Sequence, residues 1–168
     1  GALVVAAAKA GLERAIENEM RPRTDVIPFE SEHRFMATLH HDHAGHGFIY
    51  LKGAPERVLE MCTHERAGGE DRLLRHSDWH ARIERLAAHG QRVLALAFRA
   101  ATPGRRELGF DDVGEGLTLL GLVGMIDPPR DEAIRAVAAC RTAGIRVKMI
   151  TGDHAVTAAA VAAPLGIG

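Results

Sequence analysis

The sequence predicts an α+β fold, in which an antiparallel sheet is flanked by helices and is followed by a partial α/β segment. Two aromatic and β-branched stretches, residues 34–40 and 47–52, are joined by a loop rich in histidine and glycine, which is the pattern of a β-hairpin. After residue 126 the pattern changes to helix, buried-type strand, tight loop and helix, which is typical of a parallel α/β unit. We therefore expect two domains, residues 1–126 and residues 127–168.

The first part of the chain is predicted to contain a helix on each side of the hairpin. Residues 1–20 have apolar side chains at roughly helical spacing, and Pro22 follows them as a helix breaker. Residues 55–61 form a second, shorter helix, with Pro55 at its first position and Glu56 in its first turn. An acidic residue is favoured in the first turn because the N-terminus of a helix carries partial positive charge.

One more helix and two strands complete the first predicted domain. Residues 78–89 have an apolar face and predict a helix that Gly90 ends. Residues 92–99 are apolar between two terminal arginines, so we expect a strand in the centre of the sheet. Residues 117–126 form another apolar run, which contains two glycines.

The second predicted domain has the element order of half a parallel α/β unit. Residues 132–142 form an amphipathic helix that Gly144 ends, and residues 145–150 form a buried-type strand. Residues 151–153 form a tight loop before a final helix, which Pro164 breaks. Ligands of such sheets bind beyond the carboxyl ends of the strands, where this loop is expected to lie.

The composition indicates a globular protein and excludes several kinds of partner. The 168 residues are 46% hydrophobic and 26% charged, which is the balance of a packed domain. A net charge of −1 offers no basic surface for nucleic acid. Cys62 and Cys140 are far apart and lack the spacing of metal ligands, so we expect reduced, cytosolic thiols. No apolar stretch approaches the roughly 20 residues of a membrane-spanning helix, and no signal peptide is evident.

The run Lys52-Gly53-Ala54-Pro55-Glu56 is the strongest indication of a ligand site. It follows a predicted strand and opens a predicted helix. The lysine supplies a flexible cation, and the adjacent glycine allows the backbone to approach a ligand closely. Because the N-terminus of a helix favours negative charge, the combination predicts an anionic ligand. The run by itself is better explained as an ordinary strand-to-helix turn with an exposed lysine.

Four further runs accompany this one in a characteristic order. They are VIPF at 26–29, with Arg34 and Met36 after it; GQRVLALA at 90–97; DPPR at 127–130; and MITGDH at 149–154. Together with the lysine run, they resemble the cytoplasmic region of P-type cation-transporting ATPases, most closely the type II, calcium-pump-like branch. The resemblance extends over nearly the whole chain.

The resemblance implies an ATP site formed by residues that are distant in the sequence. It places Phe29 against the adenine ring, where stacking contributes about 1–3 kcal/mol. It directs Arg34, Lys52 and Arg92 at the phosphates. Gly53 would let the backbone close on the ligand. From the residues alone, Phe29 is better explained as a core residue, and Arg92 could be a surface charge.

The resemblance also implies catalytic and hinge residues in the second predicted domain. Thr151, Gly152 and Asp153 resemble the second motif of haloacid-dehalogenase-like phosphotransferases, in which the threonine hydroxyl and nearby amides bind the phosphoryl group. Asp127 is predicted as a nucleotide-binding residue. Together with the two prolines after it, Asp127 also resembles the hinge between the nucleotide-binding and phosphorylation domains.

The implied function is that of the ATP-binding cytoplasmic segment of a membrane cation pump. ATP, accompanied by Mg²⁺, would be presented for phosphoryl transfer to an aspartate that this sequence does not contain. The implied partners are ATP or ADP and the remaining phosphorylation, actuator and transmembrane domains of the same polypeptide. We expect the 168-residue chain to bind nucleotide without turnover. Calcium is the default ion, although selectivity would belong to transmembrane residues.

Two other functions remain open at this point. One is a soluble haloacid-dehalogenase-like phosphatase with a large cap domain, which would need a nucleophilic aspartate upstream. The other is a non-catalytic nucleotide-binding or regulatory module. The set of Phe29, Lys52 and Arg92 favours the pump over both.

A cluster of histidines suggests a metal site. Its members are His40, His41, His43 and His46, with Asp42 among them. They lie in a glycine-containing hairpin loop, which does not hold ligands in a fixed geometry. We therefore predict no physiological metal site, and only adventitious binding of nickel or zinc.

Overall fold

A seven-stranded sheet organises the protein in this computed structural model, which describes residues 1–126, 129–151 and 155–167. The strands are β1 (Arg23–Ile27), β2 (Phe35–His41), β3 (Gly47–Gly53), β4 (Cys62–Ala67), β5 (Glu70–Leu73), β6 (Arg92–Ala100) and β7 (Leu117–Met125). The helices are α1 (Ala2–Lys9), α2 (Arg14–Met20), α3 (Pro55–Met61), α4 (His76–Ala88), α5 (Asp131–Thr142) and α6 (Ala155–Leu165). A short 3-10 helix covers Phe110–Asp112.

The sheet is mixed, which corrects the expectation of an antiparallel sheet. Its spatial order is β1-β2-β3-β6-β7-β4-β5. The pairs β1–β2, β2–β3, β3–β6 and β4–β5 are antiparallel, whereas β4 pairs with β7 in parallel. The α+β class, the hairpin and the central position of β6 are as predicted.

The chain forms two compact units. The first consists of Gly1–His76 and Leu94–Val123, and the second of Ser77–Val93 and Gly124–Gly168. The predicted domain boundary between residues 126 and 127 stays a prediction, since residue 127 lies outside the described part of the chain. No helix within the described ranges has the length and apolar character of a membrane span.

The core of the first unit lies on one face of the hairpin. Alternate residues of β2 and β3 are buried, as the two-residue period of a strand requires. The buried side chains, at 0–2% exposure, are Phe35, Ala37, Leu39, Ile49 and Leu51. The same core contains Cys62, and burial raises the pKa of its thiol to about 12.

The predicted N-terminal helix is two helices in the structure. Gly11 takes a φ of +82°, and its N–H donates to the carbonyl of Ala8. The N–H of Leu12 reaches back to the carbonyl of Ala7, which completes a Schellman ending for α1. Because glycine adopts this left-handed conformation without a steric penalty, the break at residue 11 overrides the apolar spacing around it.

The hairpin of β4 and β5 was not predicted, and neither was β1. The residues of β4 and β5 are mostly polar, which is unusual for strands. Glu65 on β4 is 2% exposed and accepts a hydrogen bond from Arg72 of β5 at 2.7 Å. Gly68 and Gly69, with φ of +62° and +90°, form the two-residue turn between the strands. This Gly-Gly pair is the signal that could have identified the hairpin.

The second unit contains most of α4 together with α5 and α6. Gly90 and Gly144 end α4 and α5 with positive φ, as predicted. α6 extends one residue past Pro164, at which it was predicted to end. The predicted strand at 145–150 is not formed, and Ile150 is 97% exposed. A strand needs a neighbour for its N–H and C=O groups, and the described residues supply none to this segment.

Candidate functional site

The outer face of the sheet, meaning the half-buried side of β2, β3 and β6, carries three cross-strand rows of side chains. Each row has one residue from each strand: Met36, Lys52 and Leu96; Thr38, Tyr50 and Phe98; and His40, Phe48 and Ala100. Residues in one row have neighbouring Cβ atoms, and successive rows are two residues apart along each strand. The antiparallel register therefore places a single lysine among apolar and aromatic neighbours.

A cavity of about 280 Å³ opens on this outer face. Its lining is almost wholly apolar and consists of Met36, Thr38, Tyr50, Leu51, Lys52, Leu96, Ala97 and Leu120. Lys52 lies between Met36 on β2 and Leu96 on β6. Its ammonium group has no hydrogen-bond or ion-pair partner among the residues that the structure describes. The cavity thus combines an apolar wall with one uncompensated positive charge.

Gly53 follows Lys52 and lies opposite Phe35 at the end of the hairpin. A Cβ atom built on Gly53 would lie 2.5 Å from the carbonyl oxygen of Arg34 and 2.6 Å from the Cβ of Phe35. Only glycine fits so close to the neighbouring backbone. The sequence predicted close approach of a ligand to Gly53, whereas the close neighbour in the structure is the start of β2.

Arg34 is held in an unusual backbone conformation beside this glycine. Its φ is 60°, and it is the only non-glycine with positive φ in the described ranges. Its N–H donates to the carbonyl of Glu30 at 2.8 Å, and its carbonyl accepts from the N–H of Ala54 at 2.9 Å. Such conformations cost about 1–3 kcal/mol and cluster at functional sites. The side chain of Arg34 is exposed, at the same end of the hairpin as Lys52.

An aromatic cluster continues the outer face beyond the cavity. The ring of Tyr50 lies 5.6 Å from that of Phe98 and 5.5 Å from that of His40. The guanidinium of Arg66 lies 5.2 Å from the centre of the Phe98 ring. Asp71 accepts two hydrogen bonds from Arg66, at 2.7 and 3.1 Å, and this pairing holds the pKa of Asp71 below its ordinary value. Arg66 is therefore neutralised within the protein, unlike Lys52.

Phe29 lies in the segment between β1 and β2 and is 61% exposed. That exposure excludes a core role for this side chain. Phe29 is not among the residues that line the cavity. Its contact with an adenine ring stays a prediction.

Two further predicted site residues, Arg92 and Thr151, are not among the residues that line the cavity. Arg92 is the first residue of β6, is exposed and belongs to the second unit. Thr151 is exposed in the same unit, outside any helix or strand. Gly152, Asp153 and Asp127 lie outside the described residues.

The histidines of the hairpin have separate partners. His40 pairs through Nδ1 with the carbonyl of Arg21 at 2.9 Å, and His46 pairs with Asp42 at 2.9 Å. His41 is buried, and its Nε2 donates to the carbonyl of Arg105 at 2.8 Å. Across the ranges that the structure describes, no three His, Cys, Asp or Glu side chains are grouped as metal ligands.

A second, more open cavity of about 520 Å³ has a different chemistry. Its lining includes Phe35, Phe110, Arg57, Asp111 and Glu115. Arg57 already donates to Glu60 at 3.0 Å. The two carboxylates would repel an anion, so this cavity does not suit a phosphate-bearing ligand.

Lys52 was predicted from the sequence as a site residue, whereas most of the lining around it was not. Thr38, Tyr50, Leu96 and Leu120 were not singled out. The available signal was the two-residue period: Tyr50 lies two positions before Lys52 and therefore on the same face of β3. Leu96 and Leu120 depend on the pairing of distant strands, which no local pattern shows.

Comparison with known proteins identifies similar sequences over the whole chain. Residues 1–132 match the family model described as P-type ATPase, cytoplasmic domain N. The chain is 46% identical over 168 residues to Cation-transporting ATPase pma1 of Synechocystis. The aligned region covers 99% of this chain and 18% of that protein.

Two further relatives have more specific names. Calcium-transporting ATPase 1 of Bacillus cereus is 36% identical over 169 residues, covering 99% of this chain and 19% of the relative. Sodium/potassium-transporting ATPase subunit alpha-2 of Gallus gallus is 37% identical over 163 residues, covering 89% of this chain and 16% of the relative. The chain therefore spans less than a fifth of the length of these relatives.

Proposed function

Because the chain belongs to the P-type ATPase cytoplasmic domain N family, we propose that it is the nucleotide-binding segment of a cation-transporting ATPase. In the complete protein it would present ATP for phosphoryl transfer to an aspartate outside the 168 residues. The chain spans only 18% of the Synechocystis relative, so transport by the complete protein is part of the proposal.

The observation that carries this proposal is the unpaired Lys52 in an apolar cavity. A nucleotide combines a flat aromatic base with an anionic phosphate chain, and the cavity combines a largely apolar wall with one cation. Its volume of about 280 Å³ is just below the range of about 300–1,000 Å³ of ligand sites, so it suits the base and leaves the phosphates outside. The second cavity lacks an unpaired cation in its described lining.

The phosphates would be bound at the end of the hairpin where Lys52 lies. Arg34, exposed beside Gly53, supplies a second cation there. Arg92 is proposed as a third, and Phe29 as a stacking partner for the base. Mg²⁺ would enter with the nucleotide, because ATP supplies phosphate oxygens as its ligands. When bound, Mg²⁺ neutralises charge on the phosphates.

The second unit is proposed to contribute to phosphoryl transfer. Thr151, Gly152 and Asp153 are assigned to a haloacid-dehalogenase-like phosphate-binding loop, and Asp127 to the hinge before it. The implied partners are the remaining phosphorylation, actuator and transmembrane domains of the same polypeptide. A phosphatase with a large cap domain is not favoured, because residues 1–132 match the P-type ATPase family.

The transported ion would be selected outside this segment. Relatives named for calcium and for sodium/potassium transport are equally similar to it, at 36% and 37% identity. Selectivity is expected from ionisable residues of membrane-spanning helices. The calcium-pump-like branch remains our assignment within the family.

Replacement of Lys52 by alanine tests the proposal. Loss of a charge-assisted contact should weaken ATP binding by about 1.5–3 kcal/mol, which is tenfold or more in Kd. Calorimetric titration of the 168-residue chain with Mg²⁺ and ATP measures this. Lys9→Ala is the matched control, because Lys9 is an exposed lysine of α1. Equal ATP affinities for the wild type and Lys52→Ala would refute the proposal.

A further inference from the structure

Arg34 combines a strained backbone with a position at the end of the hairpin. Its φ of 60° is the only positive value of a non-glycine residue in the ranges that the structure describes. The left-handed region is accessible to glycine, but it brings the Cβ of an L-residue too close to the carbonyl oxygen that follows. A folded protein keeps such a residue only where the surrounding structure imposes that conformation.

The two backbone polar groups of Arg34 bond to two different elements. Its N–H donates to the carbonyl of Glu30 at 2.8 Å and closes the turn that leads into β2. Its carbonyl accepts from the N–H of Ala54 at 2.9 Å, on the opposite side of the hairpin end. Arg34 makes both bonds at once in its left-handed conformation. The turn and the hairpin end therefore depend on the same pair of dihedral angles.

The bond between Arg34 and Ala54 lies just beyond Lys52. The pairing of β3 with β2 and its pairing with β6 both end at Gly53, one residue after Lys52. Ala54 is the next residue, and it is also the N-cap of α3. The Arg34 carbonyl therefore holds the chain at the point where sheet pairing stops and the helix begins.

Gly53 lies in direct contact with the same carbonyl group. A Cβ atom built on Gly53 would lie only 2.5 Å from the Arg34 oxygen. No side chain separates the two backbones, and closely packed groups of this kind move together. Rotation of the Arg34 peptide group would therefore displace Gly53, and Lys52 is covalently attached to Gly53.

The charge of Arg34 does not explain its backbone conformation. The side chain is exposed, and a residue with ordinary strand dihedral angles can equally present an exposed guanidinium. The left-handed conformation is instead explained by the hydrogen bond to Ala54 and the contact with Gly53.

We propose that Arg34 is a positioning residue whose left-handed backbone, independently of its guanidinium, keeps Lys52 in place at the cavity. This inference rests on the proposed nucleotide-binding function and adds a second role to Arg34. The guanidinium acts on the phosphates directly, and the backbone acts on them through Lys52.

Replacements at position 34 separate the backbone from the charge. Arg34→Gly and Arg34→Asn remove the guanidinium and keep the left-handed conformation accessible. Arg34→Val removes the guanidinium and disfavours that conformation, because valine is β-branched. Arg34→Ala replaces Arg34→Val if the valine variant does not fold. Glu32 is the control position, because it is an exposed residue of the same turn whose φ is not positive.

Thermal unfolding of the 168-residue chain tests the backbone requirement. Arg34→Gly and Arg34→Asn should unfold at or slightly above the temperature of the wild type. Arg34→Val should unfold about 2–8 °C below it. At the control position the order should not recur, and Glu32→Gly should be no more stable than Glu32→Val, since glycine loses more conformational freedom on folding.

A double-mutant cycle tests the positioning of Lys52. Calorimetry measures the affinity for ATP with Mg²⁺ when Lys52→Ala is made in the wild type, in Arg34→Gly and in Arg34→Val. Lys52→Ala should lower the affinity about tenfold or more in the first two, in which Lys52 is in place. It should lower the affinity about threefold or less in Arg34→Val, in which Lys52 is already displaced. Arg34→Gly and Arg34→Val lack the same charge, so their difference reports the backbone alone.

Two results would overturn the inference and keep the nucleotide site. One is an equal factor for Lys52→Ala in all three backgrounds, which would show that the backbone at position 34 does not position Lys52. The other is an Arg34→Gly variant that unfolds as far below the wild type as Arg34→Val does, which would show that the left-handed conformation is not required. Absence of ATP binding by the folded wild type would reject the proposed function, and the positioning role with it.

Discussion

The two faces of the β2–β3 hairpin have different tasks, although they alternate along the same strands. The buried face carries apolar side chains that are 0–2% exposed, together with His41 at 5%. The outer face is half-buried and holds a cavity, one unpaired cation and two hydroxyls. Because side chains of a strand alternate, a single hairpin separates the side chains of the core from those of the half-buried outer face.

The buried and outer faces of the hairpin also differ in how much they contribute to stability. Full burial of a leucine or isoleucine contributes about 1.5–3 kcal/mol, so the buried face carries most of the stability of the hairpin. A half-buried side chain contributes less, because part of its surface stays in contact with solvent. We therefore expect substitutions on the buried face to change the free energy of unfolding, and substitutions on the outer face to change binding.

The largest expected effect is on stability, from truncation of Leu39. Leu39 is 0% exposed, and Leu39→Ala should lower the free energy of unfolding by about 2–5 kcal/mol through lost burial and the cavity left behind. Leu96→Ala makes the same truncation on the outer face and should cost about 1 kcal/mol, because Leu96 is half-buried. Urea unfolding of both variants measures the difference. Equal losses would show that the two faces are not energetically distinct.

Gly53→Ala should cost about 1–3 kcal/mol of stability. The added Cβ would lie 2.5 Å from the Arg34 carbonyl oxygen, which belongs to the backbone immediately before β2 and cannot turn away. Gly114→Ala is the matched control, because its Cβ would find its nearest neighbour at 3.7 Å. Thermal unfolding of the two variants decides the matter. A Gly53→Ala variant as stable as Gly114→Ala would mean that the hairpin end adjusts freely.

The smallest expected effect is that of Phe29→Ala, and it concerns binding alone. Phe29 is 61% exposed, so its loss should leave the unfolding temperature unchanged. If Phe29 stacks on the base, the binding free energy of AMP, ADP and ATP should each weaken by about 1 kcal/mol. This loss should depend little on salt. Phe110→Ala, at a phenylalanine that is 52% exposed in the second cavity, is the control. Unchanged AMP binding in Phe29→Ala would show that Phe29 does not contact the base, which would leave the outer face as the base site.

Elements that are specified by residues close together in the sequence were predicted with bounds within one residue of those in the structure. The β2–β3 hairpin and α3, which starts at Pro55, follow from alternation and from residue preferences at a helix start. The same is true of α5, which ends before Gly144. In each case the determining interactions lie within a few residues of one another.

Elements that depend on distant pairing were not predicted. The polar strand β4 is stabilised by Glu65 bonding to Arg72 and by parallel pairing with β7. Residues 145–150 have the composition of a buried strand and form none, because no described residues pair with them. Composition gives a segment the ability to form a strand, and only a neighbouring strand makes it one.

By itself, the sequence determined the α+β class, the hairpin, and Lys52 and Gly53 as neighbours at the hairpin's end. The tertiary structure alone decided that the sheet is mixed and that Leu96 and Leu120 join Thr38 and Tyr50 around the lysine. It also decided that Gly53 accommodates the backbone of β2. The physical reason is that alternation and turn chemistry act over a few residues. A cavity, by contrast, depends on the register between strands that lie some 40 to 70 residues apart along the chain.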